Sequence, residues 1–303
     1  MRDVLCFGNL QFDVLCHPVV ALPAPGELSR LEGIDLMLSG NGGNVAAVLG
    51  RLGVGVDLAG YRGADPIGDA FADTLTSLGV GTGWLPRHPS AGTGTSVIAL
   101  APNGERSVLF VNGANALYDL DTVPDDCLAG ARVVSVGSIF VLPQFTGDAV
   151  GRLLARARTS GAITVLNASW PVDGQGLAFL RPALAHTDYF VLSYDEGRQL
   201  TGHTLPERIL DEVEALTRGR VLLTLDADGC CFRQGGALRR VPSLPVEAVD
   251  ATGAGDSFVA GVIAGLVDGR PLAACAALGC RVASYAVTGP GAYPRIPPLA
   301  DLQ

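Results

Sequence analysis

Asp250-Ala251-Thr252-Gly253-Ala254-Gly255-Asp256 sets two carboxylates six residues apart, with a hydroxyl and a Gly-Ala-Gly segment between them. Small residues let the backbone turn sharply and present its N–H groups. Beyond them, Phe258-Val259, Val262-Ile263 and Leu266-Val267 recur at the spacing of one helix face. Ala260, Gly261, Ala264 and Gly265 form a second, narrow face for close approach of a neighbour. A helix starting here carries unpaired amide donors and partial positive charge, which together bind an anion. Asp256 then either caps the helix or points into the site the amides make. For Gly-Ala-Gly-Asp alone, a tight turn with a capping aspartate is the simpler account. Asp250, Thr252 and a helix apolar enough to be buried favour the anion site.

Composition narrows the chemistry. The 303 residues are 48% apolar with 40 glycines, which suits one large α/β unit or two ordinary domains. A net charge of −9 argues against a nucleic-acid or anionic-membrane partner. All 21 basic residues are arginine, so lysine-dependent phosphate loops, the protein-kinase set and Schiff-base chemistry are excluded. Any phosphate must be held by arginine, backbone amides or metal. Seven scattered cysteines read as reduced thiols of a cytoplasmic protein, and four dispersed histidines form no metal motif. The N-terminus does not read as a signal peptide, and no membrane span is expected.

Taken in order, Val4–Phe7 reads as a buried strand, with Gln11 and Asp13 just beyond it. Residues 17–37 lose periodicity and read as irregular strands outside the main sheet. Ser39-Gly40-Asn41-Gly42-Gly43-Asn44 is a second glycine-rich turn opening a helix. Thr95–Leu100 and Val108–Val111 alternate about a turn at Pro102-Asn103-Gly104, the pattern of a hairpin. Arg106, beside that turn, reads as a solvated side chain. Strands at 133–137, 163–166, 189–192 and 221–225 then alternate with helices at 146–160, 175–186, 195–201 and 206–218. That alternation predicts a doubly wound, mainly parallel sheet with helices on both faces. A second small-residue helix spans Leu272–Ala286.

Asp250–Phe258 resembles the D-T-G-A-G-D motif of the PfkB, or ribokinase-like, carbohydrate kinases. Asn44 matches the asparagine of that family's first glycine motif, in which Ser39 replaces a glycine. Ser193-Tyr194-Asp195-Glu196 resembles N-x-x-E, with Ser193 in place of the asparagine. Thr224-Leu225-Asp226-Ala227-Asp228-Gly229 resembles T-L-G-x-x-G, and Val287–Ala292 resembles V-T-x-x-G-A. Leu166-Asn167-Ala168 is closer to the ribokinase branch than to the D-P-N-x-R of fructokinases.

The resemblance covers nearly the whole chain. It implies a single kinase domain over 1–303, with a β lid formed by about 10–37 and 92–115. It implies transfer of the ATP γ-phosphate to a hydroxyl of a pentose or hexose. Asp256 would be the base, and the amides of Gly253, Ala254, Gly255 and Asp256 the anion hole. Gln11, Asp13, Gly40, Asn41 and Asn44 would bind the sugar, and Phe110 or Ile98 would face it. Ser193, Thr224, Asp226, Gly229 and Cys280 would line the nucleotide. Glu196 would organise Mg²⁺ through water; Asp250, Thr252, Ala286 and Gly291 would hold a monovalent cation, K⁺. A homodimer through the lid is a further expectation. A nucleoside kinase of the same family and a non-catalytic sugar or nucleotide sensor are the alternatives. A dinucleotide dehydrogenase is disfavoured, because no G-x-G-x-x-G follows the first strand.

Overall fold

The computed structural model describes residues 2–103, 105–171 and 175–302. The turn expected at Pro102-Asn103-Gly104 ends on Gly104, outside the described residues. Thirteen strands are present among them. They are β1 (Val4–Phe7), β2 (Gln11–His17), β3 (Gly33–Ser39), β4 (Val56–Ala59), β5 (Val80–Gly81), β6 (Thr95–Leu100) and β7 (Arg106–Val111) in the first half. In the second half come β8 (Val133–Val136), β9 (Ile163–Asn167), β10 (Tyr189–Ser193), β11 (Arg220–Thr224), β12 (Cys230–Gln234) and β13 (Ala237–Val241). The helices are α1 (Asn41–Arg51), α2 (Pro66–Ser77), α3 (Asp125–Leu128), α4 (Gly147–Thr159), α5 (Leu177–Leu184), α6 (Tyr194–Thr201), α7 (Pro206–Glu214), α8 (Ala254–Val267) and α9 (Leu272–Ala286).

Nine strands form one sheet in the order β13-β12-β11-β10-β9-β8-β1-β4-β5. It is parallel from β5 to β11 and antiparallel only at the β12 and β13 edge. Its central strands β1, β8 and β9 are buried on both faces, as a sheet covered on two sides requires. Val4 and Cys6 of β1 pack toward α1, α2, α8 and α9, whereas Leu5 and Phe7 pack toward α3, α4, α5 and α7. The expected doubly wound arrangement is therefore present. The antiparallel edge was not anticipated. Its signal is Gly235-Gly236, whose φ values of 60° and 80° make the two-residue hairpin turn between β12 and β13.

Helix α8 is buried along Ser257–Leu266, all round rather than on one face. Burying Phe258, Val259, Val262 and Ile263 contributes about 1.5–3 kcal/mol each. Its narrow face meets α9 almost backbone to backbone: a Cβ on Gly261 would lie 2.7 Å from the Cα of Gly279. Local sequence sets the ends of the other helices. Asp65 accepts from the Gly68 N–H at 2.8 Å to start α2, with Pro66 in the first turn, and Gly202 at φ 74° stops α6.

A separate four-stranded sheet, β3-β2-β6-β7, forms the lid. Gln11 and Asp13 lie within its strand β2 rather than in a loop at the end of β1. The register puts Asp13 opposite Met37 and Ser96, and Ser96 opposite Phe110. With a side-chain period of two, Asp13, Ile98 and Phe110 share the inner face, while Ile34, Leu36, Val97, Leu109 and Val111 point outward.

Candidate active site

Two glycine turns bring the site together. Gly253 adopts φ 75°, and any Cβ there would collide with the Cβ of Ala292, so only glycine allows α8 to begin where it does. Asp256 falls in the first turn but makes no cap. Its carboxylate faces the start of α1, where the Asn41 amide donates to one oxygen and the Asn44 amide to the other at 2.7 Å. Gly40, at φ 87°, and Gly42, whose Cβ would lie 2.8 Å from the Gly8 backbone, let α1 start hard against the end of β1. Gly137 leaves the space that the Asn41 side chain fills. Behind this, the Asn9 side chain accepts from the Asn41 N–H at 2.7 Å and from the Ser138 hydroxyl at 2.7 Å. Burial raises the Asp256 pKa to about 7; the Asn44 and Asn41 amides oppose the shift and the Glu196 charge adds to it.

Asp256 lies at one side of a cleft of about 290 Å³, whose lining includes Asn41, Asn167, Trp170, Ser193, Glu196, Thr224, Gly253 and Gly255. Ser193 and Glu196 form a reciprocal cap at the start of α6. The Ser193 hydroxyl accepts from the Glu196 N–H at 3.2 Å, and the Glu196 carboxylate accepts from the Ser193 N–H at 2.7 Å. Serine in place of asparagine thus serves the helix start. Burial lifts the Glu196 pKa to about 6, against the Ser193 N–H and hydroxyl and with Asp195 adding to it. Of the four amides expected to form an anion hole, that of Ala254 turns back to the Ala251 carbonyl at 3.2 Å. Those of Gly253, Gly255 and Asp256 meet no acceptor among the described residues, and a Cβ on Gly255 would meet open space.

Seven residues expected at the nucleotide or cation do not line this cleft: Asp250, Thr252 and Gly291, described with Arg106 below, and Asp226, Gly229, Cys280 and Ala286. Asp226 is exposed at φ 50°, a left-handed position that explains the related glycine. Gly229, at φ 88°, is crowded against the Val241 carbonyl. Cys280 is 3% exposed and its thiol faces Cys230 at 3.7 Å. Ala286 is fully buried. Conversely, Asn167 and Trp170 line the cleft although sequence reasoning gave them no site role; their position at and just past the carboxyl end of β9 was the available signal.

On the lid, Asp13 is 5% exposed. Burial raises its pKa, with the Ser39 and Ser96 hydroxyls and the Arg106 charge pulling the other way. The Gln11 amide donates to the Ser96 hydroxyl at 3.0 Å and the Val111 carbonyl at 3.3 Å, leaving its buried oxygen without a partner among the described residues. Arg106 is exposed as expected, its side chain 43% accessible, but it is not without partners. It reaches Asp250 at 2.9 Å and the Thr252 hydroxyl at 2.8 Å. Burial raises the Asp250 pKa, but the Thr252 hydroxyl and N–H, Arg106 and the Gly291 N–H together hold it below its ordinary value.

This combination of a doubly wound sheet, a detached β lid and a carboxylate beside free amides defines the ribokinase-like fold class. The model of the pfkB family of carbohydrate kinases matches residues 1–298, and the chain belongs to that family. It is 27% identical to a ribokinase of Bacillus subtilis over 304 aligned residues, covering 100% of this chain and 99% of the relative. It is 28% identical to a fructokinase of Escherichia coli, covering 86% of this chain and 89% of that one. The structure of Arabidopsis thaliana ribokinase complexed with ribose and ATP superposes with a TM-score of 0.84 at 23% identity, covering 100% of this chain and 98% of that chain. The protein is an ATP-dependent carbohydrate kinase.

Proposed function

We propose that the enzyme moves the γ-phosphate of ATP to a hydroxyl of a pentose or hexose held between the lid and the main sheet. The observation that carries this is Asp256, a carboxylate held by two amides beside the unpartnered N–H groups of Gly253 and Gly255. The chain acts as one kinase domain, with Gln11 and Asp13 on the lid, and Gly40, Asn41 and Asn44 opposite, placing the sugar. As the sugar oxygen bonds to phosphorus and the bond to ADP breaks, Asp256 takes the hydroxyl proton. The amides of Gly253, Gly255 and Asp256 stabilise charge on the moving group. Ala254 joins them once its weak bond to Ala251 is exchanged. Ser193, Thr224 and Glu196 face the nucleotide.

Mg²⁺ bound with ATP would offset the charge of its phosphates. No three His, Cys, Asp or Glu side chains converge on one point among the described residues. Glu196, half-buried with one oxygen already accepting from the Ser193 N–H, accordingly fits contact through the ion's waters. The test is a panel of pentoses, hexoses and nucleosides with ADP release and ³¹P product spectra. Turnover restricted to nucleosides would replace sugar as substrate, and nucleotide binding without turnover would favour a sensor.

Because Asp256 must be ionised to accept a proton, kcat/KM is expected to rise with pH through about 7 and level above it. A flat profile from pH 5.5 to 8 would remove Asp256 as base.

The outward face of the lid exposes Ile34, Leu36, Leu109 and Val111, each more than half accessible. Such an apolar sheet face with two open edges favours a second copy of the chain. The enzyme is therefore expected to be a homodimer by sedimentation, with Leu109→Glu shifting it to monomer. A wild-type monomer at micromolar concentration would end that assignment. No described helix is long and apolar enough to cross a membrane. The seven free cysteines suit a cytoplasmic setting.

A further inference from the structure

The loop expected to hold K⁺ has its side-chain oxygens already engaged. One oxygen of Asp250 accepts from the Thr252 N–H at 3.0 Å, the Thr252 hydroxyl at 2.7 Å and Arg106 at 2.9 Å. The other accepts from the Gly291 N–H at 3.3 Å. The Thr252 hydroxyl oxygen accepts a second Arg106 N–H at 2.8 Å. A free cation needs several oxygen lone pairs turned toward it. Here a planar guanidinium spans both side chains with two N–H groups, a geometry that a fixed fork of donors satisfies well.

The origin of that guanidinium matters as much as its contacts. Arg106 opens β7, opposite Leu100, on the lid face that also carries Ile98, Phe110 and Asp13. Its partners lie about 145 residues away in sequence, in the segment immediately before the α8 amides. That segment is fixed from behind as well. Val249 and Asp250 donate to the Val287 carbonyl at 2.7 and 3.2 Å, and the Ser257 hydroxyl donates to the Ala292 carbonyl at 3.2 Å. Among the described residues, the Arg106 hydrogen bonds tie this otherwise internally braced loop to the lid.

We propose that Arg106 is a positioning residue that supplies in cis the positive charge at Asp250 and Thr252, so that the anion loop is set by the lid and no free monovalent cation is required. Neutralising Asp250 here keeps a carboxylate beside the amides from repelling an incoming triphosphate. The inference rests on the kinase reading for its catalytic consequence, but not for the contact itself.

Two measurements on full-length protein separate these. In ligand-free protein, Arg106→Ala is expected to speed hydrogen–deuterium exchange in 95–111 and 249–253 while leaving α4 and α5 unchanged. In kinase assays at matched ionic strength, wild-type rates in KCl and tetramethylammonium chloride should agree. Arg106→Ala should lose about fivefold in kcat/KM. Millimolar guanidinium or K⁺, but not tetramethylammonium, should restore it. Activation of the wild type by K⁺, or exchange in Arg106→Ala identical to wild type, would overturn the proposal. Should wild type phosphorylate no sugar, the kinase reading fails while the exchange experiment still decides the role of Arg106.

Discussion

Replacing Asp256 by asparagine is expected to lower kcat by about a thousandfold while leaving sugar and ATP affinity nearly unchanged. Asparagine keeps the shape, and its carbonyl still accepts from the Asn41 or Asn44 amide, but it cannot take a proton. The same substitution should stabilise the protein. The folded state raises the Asp256 pKa from 3.8 to about 7, so between those values it binds more protons than the unfolded chain. Stability therefore falls as pH rises from about 4 to about 7, and the ionised form is a burden above that. Asp256→Asn should melt several degrees higher than wild type at pH 8, with the gap narrowing as pH is lowered. Calorimetry across that range and steady-state kinetics check both halves. Wild-type turnover in the mutant would dismiss Asp256 as proton acceptor.

Gly253→Ala should be nearly as damaging, for a different reason. At φ 75°, with Ala292 filling the space a methyl would need, the new side chain must displace the start of α8. Misplacing the amides is expected to cut kcat by about a hundredfold. The strained backbone should cost about 1–3 kcal/mol in urea unfolding. Gly255→Ala is the internal comparison, since nothing lies within 4 Å of the added carbon and alanine favours a helix. It should fold at least as well as wild type but raise the KM for ATP, because the methyl points into the cleft. Equal behaviour of the two variants would show that backbone position at 253 is not what matters.

Much of this was legible from short stretches, because the features that reveal it are local. Glycine before an apolar helix, alternation in Thr95–Leu100 and the strict alternation of strand and helix each declare themselves within a dozen residues. The partners were not legible. Asn41 meets Asp256 across 215 residues of chain, and nothing in its own turn distinguishes a sugar ligand from a holder of the carboxylate. Arg106 sat beside a turn where solvent is the usual partner, and only the fold of the lid over the α8 loop brings it to Asp250. Cys280 is the opposite case: helix α9 was foreseen, but that its Cys280 side turns toward β12 depended on packing. Asp226 was an apparent oddity whose positive φ, invisible in composition, supplies its physical reason.

The close seating of Gly261 against Gly279, with Phe258 and Cys275 filling the space on either side, leaves no room for a further side chain where α8 and α9 cross. Such an interface has little capacity to drift: nearly every mutation there adds atoms where none fit. The lid strands, by contrast, present ordinary side chains that can be exchanged singly. Over evolutionary time the phosphate end of this enzyme would stay frozen while the choice of acceptor is renegotiated mainly from the lid.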